Sequence, residues 1–343
     1  MSLEQLAPRF LTAIEVELRR SLGSERADLD LYDRMLAYHL GWVDPAGQPA
    51  AAGGSGKRIR PLLAVLTCAA AAGAVEAGER ALPLAAGVEL LHNFSLLHDD
   101  IQDNSPLRRG RPTAWTIWGA PQAINAGDAM FTLAHLALQN LPARGVRAEV
   151  ALGVLAAFDR TCLALTQGQF LDMEFEARPH VTVDEYLAMI EGKTAALIAA
   201  CTELGAWVGG ATGTQRDHWR QFGRSLGLAF QIQDDELGIW GDPAVTGKSA
   251  ASDLEKRKKS LPVVFGLENS EAFAHAYAQP HTPAESLAGM AAELDALGAR
   301  AATRQMAQQH TADALAHFAA AQPSGPAAVA LHELADQLLS RRR

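Results

Sequence analysis

Five stretches of this chain, residues 82–103, 121–140, 146–176, 183–209 and 215–237, repeat apolar residues at helical spacing for roughly twenty residues or more each. Strands rarely run so long, and no segment alternates apolar and polar residues as a half-buried strand does. The core is therefore expected to be helices packed on helices. Composition agrees: hydrophobic residues make up 48 % and aromatics only 6 %, with alanine and leucine conspicuous and β-branched residues sparse. Two amphipathic helices open the chain, in LEQLAPRFLTAIEVELRRSL and DLDLYDRMLAYHL, the second with Asp28 as its cap. A helix starts near Ile59 with Pro61 in its first turn, another begins over 261–267, and three helical stretches close the chain. Glycine and proline mark loops at WVDPAGQPAAAGGSGK and GIWGDPAVTGKSAASD, and the pattern fails again over 276–283. What precedes the first loop is too small to be a domain, and no repeat or low-complexity segment divides the rest. One helical domain over 1–343 is the expectation. The closing Arg341–Arg343 reads as a solvated helix end meeting its own dipole.

A formal net charge of −9 argues against a protein built to coat nucleic acid. Cys68, Cys162 and Cys201 lie far apart in apolar stretches, without metal or redox spacing, and read as reduced core residues of a cytoplasmic protein. The first twenty residues carry Glu4, Glu15 and Glu17 and lack the apolar centre of a signal peptide. No segment is apolar for long enough to insert in a membrane.

Chemistry concentrates at helix ends. Asp99, Asp100 and Asp103, in DDIQD, close an otherwise apolar helix at the negative end of its macrodipole, where each costs about 0.3–1 kcal/mol unless a cation compensates. Asp99 and Asp103 stand at i and i+4 on one face, and oxygen ligands so placed suit Mg²⁺. Directly afterwards come Arg108, Arg109 and Arg111, whose guanidinium forks match phosphate oxygens. A second acidic pair, Asp234 and Asp235, closes another apolar helix in FQIQDDELGIWGD. Two helices ending this way are able to face each other across a cavity and hold Mg²⁺ around one diphosphate. Lys57, Arg58 and Arg60 follow a glycine loop that lets backbone approach phosphate, though the Walker spacing is absent, and Lys248, Lys258 and Lys259 add further cations.

Together these clusters resemble the trans-prenyl-diphosphate synthase family over nearly the whole chain, in order. KRIRP is similar to its first basic motif, DDIQD with LRRGRPT to its first aspartate-rich motif, and FQIQDD with GKSAASD and KKSLP to its second. GQFLDMEF and EGKTAAL are similar to two further signatures. The resemblance implies a single large helical bundle with a central cavity, of the isoprenoid synthase type, working as a homodimer with about three Mg²⁺ per active site. It further implies that Asp99, Asp103 and Asp234 bind the metal that holds an allylic diphosphate, with Asp100 and Asp235 in support. Arg108, Lys193, Lys258 and Lys248 would bind that diphosphate. Lys57, Arg60, His92 and Arg109 would grip isopentenyl diphosphate, Gln231 would orient the first aspartate cluster, and Gln169 and Asp172 would line the cavity. One departure stands out: the second motif usually ends in a third aspartate, and position 238 is glycine, for which Asp242 is one candidate substitute.

The implied reaction is head-to-tail condensation of isopentenyl diphosphate with an allylic diphosphate, through ionisation of the allylic C–O bond. Residues just before the first aspartates form the family's floor under the growing chain. Here Phe94, five residues before Asp99 and more than one helical turn below it, is placed to close the pocket. One aromatic beside the small Ser95, with no insertion in DDIQD, resembles the pattern for geranylgeranyl (C20) products, with farnesyl (C15) the close alternative. A silent partner subunit is a rival reading, because Gly238 is a step towards losing the second motif. A terpene cyclase is another, but it would have no use for KRIRP and His92.

Overall fold

Helix α1 (Leu3–Ser21) buries Leu6, Phe10, Ile14 and Leu18, one side chain per turn, so a single apolar stripe decides which side faces inward. The same logic organises the rest of the computed structural model, which describes residues 1–23, 27–50, 56–242, 251–279 and 284–340. The chain divides into two units. The first takes Met1–Phe158, Leu204–Thr212 and Pro323–Leu331, and the second takes Asp159–Glu203, Gly213–Gln322 and His332–Arg343.

In the first unit α1 is followed by α2 (Asp30–His39), α3 (Ile59–Ala72), α4 (Leu82–Gln102), α5 (Ala114–Trp118), α6 (Ala120–Leu138) and the start of α7 (Ala148–Ala177). Every residue of α4 from Leu82 to Leu91 is buried, as its nearly all-apolar surface requires, with Glu89 the one charged exception. α4 packs chiefly on α6. Gly87 makes their close approach fit, since a methyl group there would stand 3.0 Å from the Ala134 carbonyl and strike Leu138. Two expectations are corrected. Asp28 lies in a 3₁₀ turn, Ala27–Leu29, and Leu29 precedes α2 as its cap. A strand pair does exist: β1 (Leu107–Arg108) and β2 (Arg111–Pro112) form an antiparallel hairpin, too short to show alternation.

The second unit holds the rest of α7, α8 (Val183–Ile190), the start of α9 (Ala196–Val208), α10 (Gly213–Trp240), α11 (Ser252–Glu255), α12 (Leu261–Asn269), α13 (Glu271–Tyr277), α14 (Ala284–Ala296), α15 (Ala299–Ala320) and the end of α16 (Gly325–Leu339). Its main packing is α10 against α15. The single helix expected over 183–209 is interrupted by one π turn, Glu191–Ala195. α10 runs on through Gly238 to Trp240, three residues into the expected loop. The helix before the expected loop at 276–283 runs two residues into it, to Tyr277, because Tyr277 and Phe273 are buried and stack on each other at 5.7 Å.

Candidate active site

The last turn of α4 carries no basic residue, so the aspartates meet a bare helix terminus. Asp99 is partly buried and Asp103 is exposed at the C-cap, its N–H donating to the Asp99 carbonyl at 2.8 Å. Asp100 points inward instead. It is 1 % exposed, and its Oδ1 accepts from Arg108 Nε at 2.7 Å. Burial raises its carboxyl against the pull of Arg108. The three aspartates therefore divide into two outer oxygen donors and one buried strut.

Arg108 is placed by the hairpin. Leu107 pairs with Pro112 and Arg108 with Arg111, leaving Arg109–Gly110 as a two-residue loop. Both loop residues take positive φ, 52° and 73°, as a type I′ turn requires. An arginine in that left-handed region is strained, an outlier of the kind that gathers at functional sites. The Arg109 guanidinium lies over Gly56, where an added Cβ would stand 2.6 Å from its Nη1. Gly56 itself has φ +72°, so glycine serves there both for conformation and for room. Arg111 is structural: it lies 4.1 Å over the Tyr38 ring and donates to the Val43 carbonyl at 2.8 Å.

KRIRP splits by role. Arg58 caps α3 in a left-handed conformation and turns inward to Glu89 at 2.7 Å, both side chains 5 % exposed. Lys57 is exposed, and Arg60 donates from Nη1 to His92 Nε2 at 3.2 Å. Burial first, then Arg60 and Arg109, hold His92 well below its ordinary pKa, so it is neutral and acts as acceptor. Two residues on, Phe94 packs against His98 at 4.7 Å and Phe131 at 5.0 Å. The ring contacts continue through His135 to Phe158, at 4.6 and 5.2 Å.

In the second unit Asp234 is partly buried, and Asp235 is 4 % exposed. Asp235 accepts from Tyr186 Oη, from the Leu261 N–H at 3.0 Å and from Gln231 Nε2 at 3.0 Å. Burial raises its carboxyl to about 7 in spite of those donors. It is a strut joining α8, α10 and α12. Gln231, implied to orient the first aspartate cluster, here bonds Asp235 and accepts from Thr194 Oγ1 at 3.0 Å. Thr194 lies in the π turn, a feature common at functional sites. Arg224 pins that turn with two 2.6 Å bonds to Glu191. Gly168 meets Gly192 and Lys193 backbone to backbone, and Lys193 Nζ pairs with Asp172. Lys259 Nζ donates to the Phe175 carbonyl at 2.5 Å, closing α7, whereas Lys258 is exposed. Lys248 lies outside the described residues.

Two further residues lie beside these groups: His39, which no sequence signal singled out, among the arginines of the first unit, and Asp253, the last residue of GKSAASD, whose carboxylate lies against Gly238. Among the described residues no group of three or more His, Cys, Asp or Glu is close enough to hold a metal alone. The paired outer aspartates at a bare helix end still suit a hard cation that completes its shell with water and phosphate oxygens.

A sequence profile described as polyprenyl synthetase matches residues 49–293. A geranylgeranyl diphosphate synthase of Mycobacterium tuberculosis is 42 % identical over 92 % of this chain and 89 % of its own. A (2E,6E)-farnesyl diphosphate synthase of Mycobacterium bovis is 48 % identical over 67 % of this chain and 62 % of its own. A crystal structure of a polyprenyl synthetase from Streptomyces coelicolor A3(2) superposes with a TM-score of 0.88, covering 98 % of this chain and 99 % of that one, at 36 % identity. No helix among the described residues is long and apolar enough to cross a membrane.

Proposed function

The chain belongs to the polyprenyl synthetase family, and from that premise we propose that it condenses isopentenyl diphosphate with an allylic diphosphate to give geranylgeranyl diphosphate. It is a prenyltransferase of the short-chain prenyl diphosphate synthases. The C20 reading rests on the Phe94 ring, backed by Phe131, at the level expected for the floor. The geranylgeranyl relative, which aligns over more of this chain than the farnesyl one, adds support. The matched span 49–293 runs through both units, which supports reading 1–343 as one catalytic domain.

The residues divide the work. Arg60, Arg109 and Lys57 take the diphosphate of isopentenyl diphosphate, with His92 fixing the Arg60 guanidinium. Arg108, Lys193 and Lys258, with Lys248, take the allylic diphosphate. Asp99, Asp103 and Asp234 would hold Mg²⁺, about three ions per site, which when bound supplies charge stabilisation for the departing diphosphate. The arginines and lysines stabilise the same developing charge, so no side-chain nucleophile is needed. Ionisation leaves an allylic cation, the isopentenyl double bond attacks it, and the departing diphosphate accepts the released proton. Phe94 and its ring neighbours shelter the lengthening tail from water.

A homodimer and a cytoplasmic setting complete the proposal. Exposed Ile124 and Leu136 of α6 and Leu152 of α7 support self-association, and three buried cysteines outside any disulfide support a reducing compartment. The test is incubation of purified protein with isopentenyl diphosphate, Mg²⁺ and each of dimethylallyl, geranyl and farnesyl diphosphate. An EDTA-sensitive C20 product is expected. A C15 product would move the floor, and no condensation with any primer would overturn the proposal in favour of a silent subunit.

A further inference from the structure

Under the Arg108–Arg111 hairpin, wholly within the first unit, lies a cavity of about 20 Å³ walled by His39, Asn93, Asp100, Arg108, Arg109 and Arg111 among others. A buried water needs about 10–15 Å³ of such space and two to four polar partners. Two of the wall residues keep an enclosed polar atom that has no hydrogen-bond partner among the described residues: His39 Nε2 and Asp100 Oδ2. Leaving either atom unsatisfied is costly, and buried polar groups are almost always paired, with protein or with ordered water.

The two atoms are complementary. Burial and the surrounding Arg108, Arg109, Arg111 and Arg58 lower the His39 pKa to about 3, so the imidazole is neutral and carries one N–H. An ionised Asp100 oxygen only accepts, and its other oxygen is engaged by Arg108 Nε. A water between them satisfies both, and arginine N–H groups in the wall are available to its remaining lone pair. We propose that an ordered water in this cavity accepts from His39 Nε2–H and donates to Asp100 Oδ2, making His39 a positioning residue for the Asp100–Arg108 pair. The inference rests on the reading of Arg108 as a ligand of the allylic diphosphate. With both Asp100 oxygens engaged its carboxylate plane is fixed, and Arg108, held at Nε, presents its terminal nitrogens in one orientation. Arg60 is not in the wall of this cavity, and Arg109 lines it without a hydrogen bond to Asp100, so isopentenyl diphosphate binding is expected to depend less on His39 than allylic diphosphate binding does.

The experiment compares the native enzyme with His39→Gln, which keeps an N–H donor, and His39→Phe, which keeps a ring and loses the donor. Each diphosphate is varied with the other and Mg²⁺ saturating, and thermal unfolding is recorded. His39→Phe is expected to raise the KM for the allylic diphosphate about tenfold, with little change for isopentenyl diphosphate, and His39→Gln to restore most of it. A native enzyme that condenses while His39→Phe matches it, or a Gln variant no better than Phe, overturns this inference alone. A native protein that condenses nothing overturns the functional reading beneath it. Should His39→Phe fail to fold, a crystal structure of the native protein decides: an ordered water bonded to both atoms upholds the inference, and a dry cavity overturns it.

Discussion

The carboxylate of Asp253 lies against the backbone of Gly238, in the space a side chain at 238 would need: an added Cβ would stand 2.8 Å from Oδ1 and closer still to Oδ2. Ser252 Oγ donates to the Gly238 carbonyl at 3.4 Å and fastens the same contact. Position 238 is four residues after Asp234, on its face of α10, where the family's third aspartate is expected. A carboxylate is thus present at that place, delivered by α11.

Restoring the consensus should therefore do harm. Gly238→Asp adds bulk and a second negative charge beside Asp253, and overpacking alone costs about 1–3 kcal/mol. We expect a lower urea midpoint and slower condensation than in the native enzyme. Gly238→Asp with Asp253→Gly, which exchanges the two positions, should recover part of both. A Gly238→Asp enzyme as stable and faster would show that Asp253 does not stand in for the third aspartate.

Phe94→Ala is expected to lengthen the product. The ring packs edge-on to His98 and tilted on Phe131, so its removal opens space above a second aromatic ring. Extension should stop after about one or two isoprene units, the first room below the floor being limited by Phe131. Products resolved by chain length are the measurement, and an unchanged spectrum would remove Phe94 from the floor.

The long helices were legible because their periods are long and their apolar stripes wide. α4 and α6 lie within two residues of the expected bounds. The hairpin at 107–112 was not, since its strands have two residues each and its loop is Arg-Gly where Asn-Gly is the usual signal. Gly238 reads as a helix breaker until Asp253 is seen to require it. Nothing in KRIRP separates the buried Arg58 from the exposed Lys57, and nothing in LAYHL separates His39 from an ordinary helix end. Those distinctions are set by neighbours distant in sequence, Glu89 and Asp100 among them.

Acid should weaken the fold through its histidines. His39 has a pKa of about 3 and His92 one well below 6.5, burial being the larger cause in both and arginines the next. The unfolded chain binds protons at both from about pH 6.5 downward, and the folded chain does not until near pH 3 at His39, so stability falls as pH drops through that window. Asp235 works the opposite way. Its raised carboxyl holds a proton between about pH 4 and 7, a contribution present at low pH and lost as pH rises. His39→Gln removes one histidine contribution, so its unfolding free energy should fall less than the native protein's between pH 7 and 5, by up to about 2 kcal/mol. Equal falls in both proteins would mean that His39 titrates normally in the fold.

Neighbouring cations in KRIRP should fail in different ways. Arg58 is buried with Glu89, also donates to the Leu40 carbonyl at 3.1 Å, and lies 3.4 Å from Glu15. Removing one partner of such a pair strands a buried charge and costs about 3–5 kcal/mol. Arg58→Ala should therefore lower the unfolding temperature markedly. Glu89→Ala should do the same, and it also takes an acceptor from Asn93 Nδ2 at 3.0 Å. Lys57 is exposed, so Lys57→Ala should leave the unfolding temperature unchanged and raise the KM for isopentenyl diphosphate. Thermal unfolding and steady-state kinetics on the same variants separate the two roles. A stable Arg58→Ala with weakened substrate binding would place Arg58, and not Lys57, on the diphosphate.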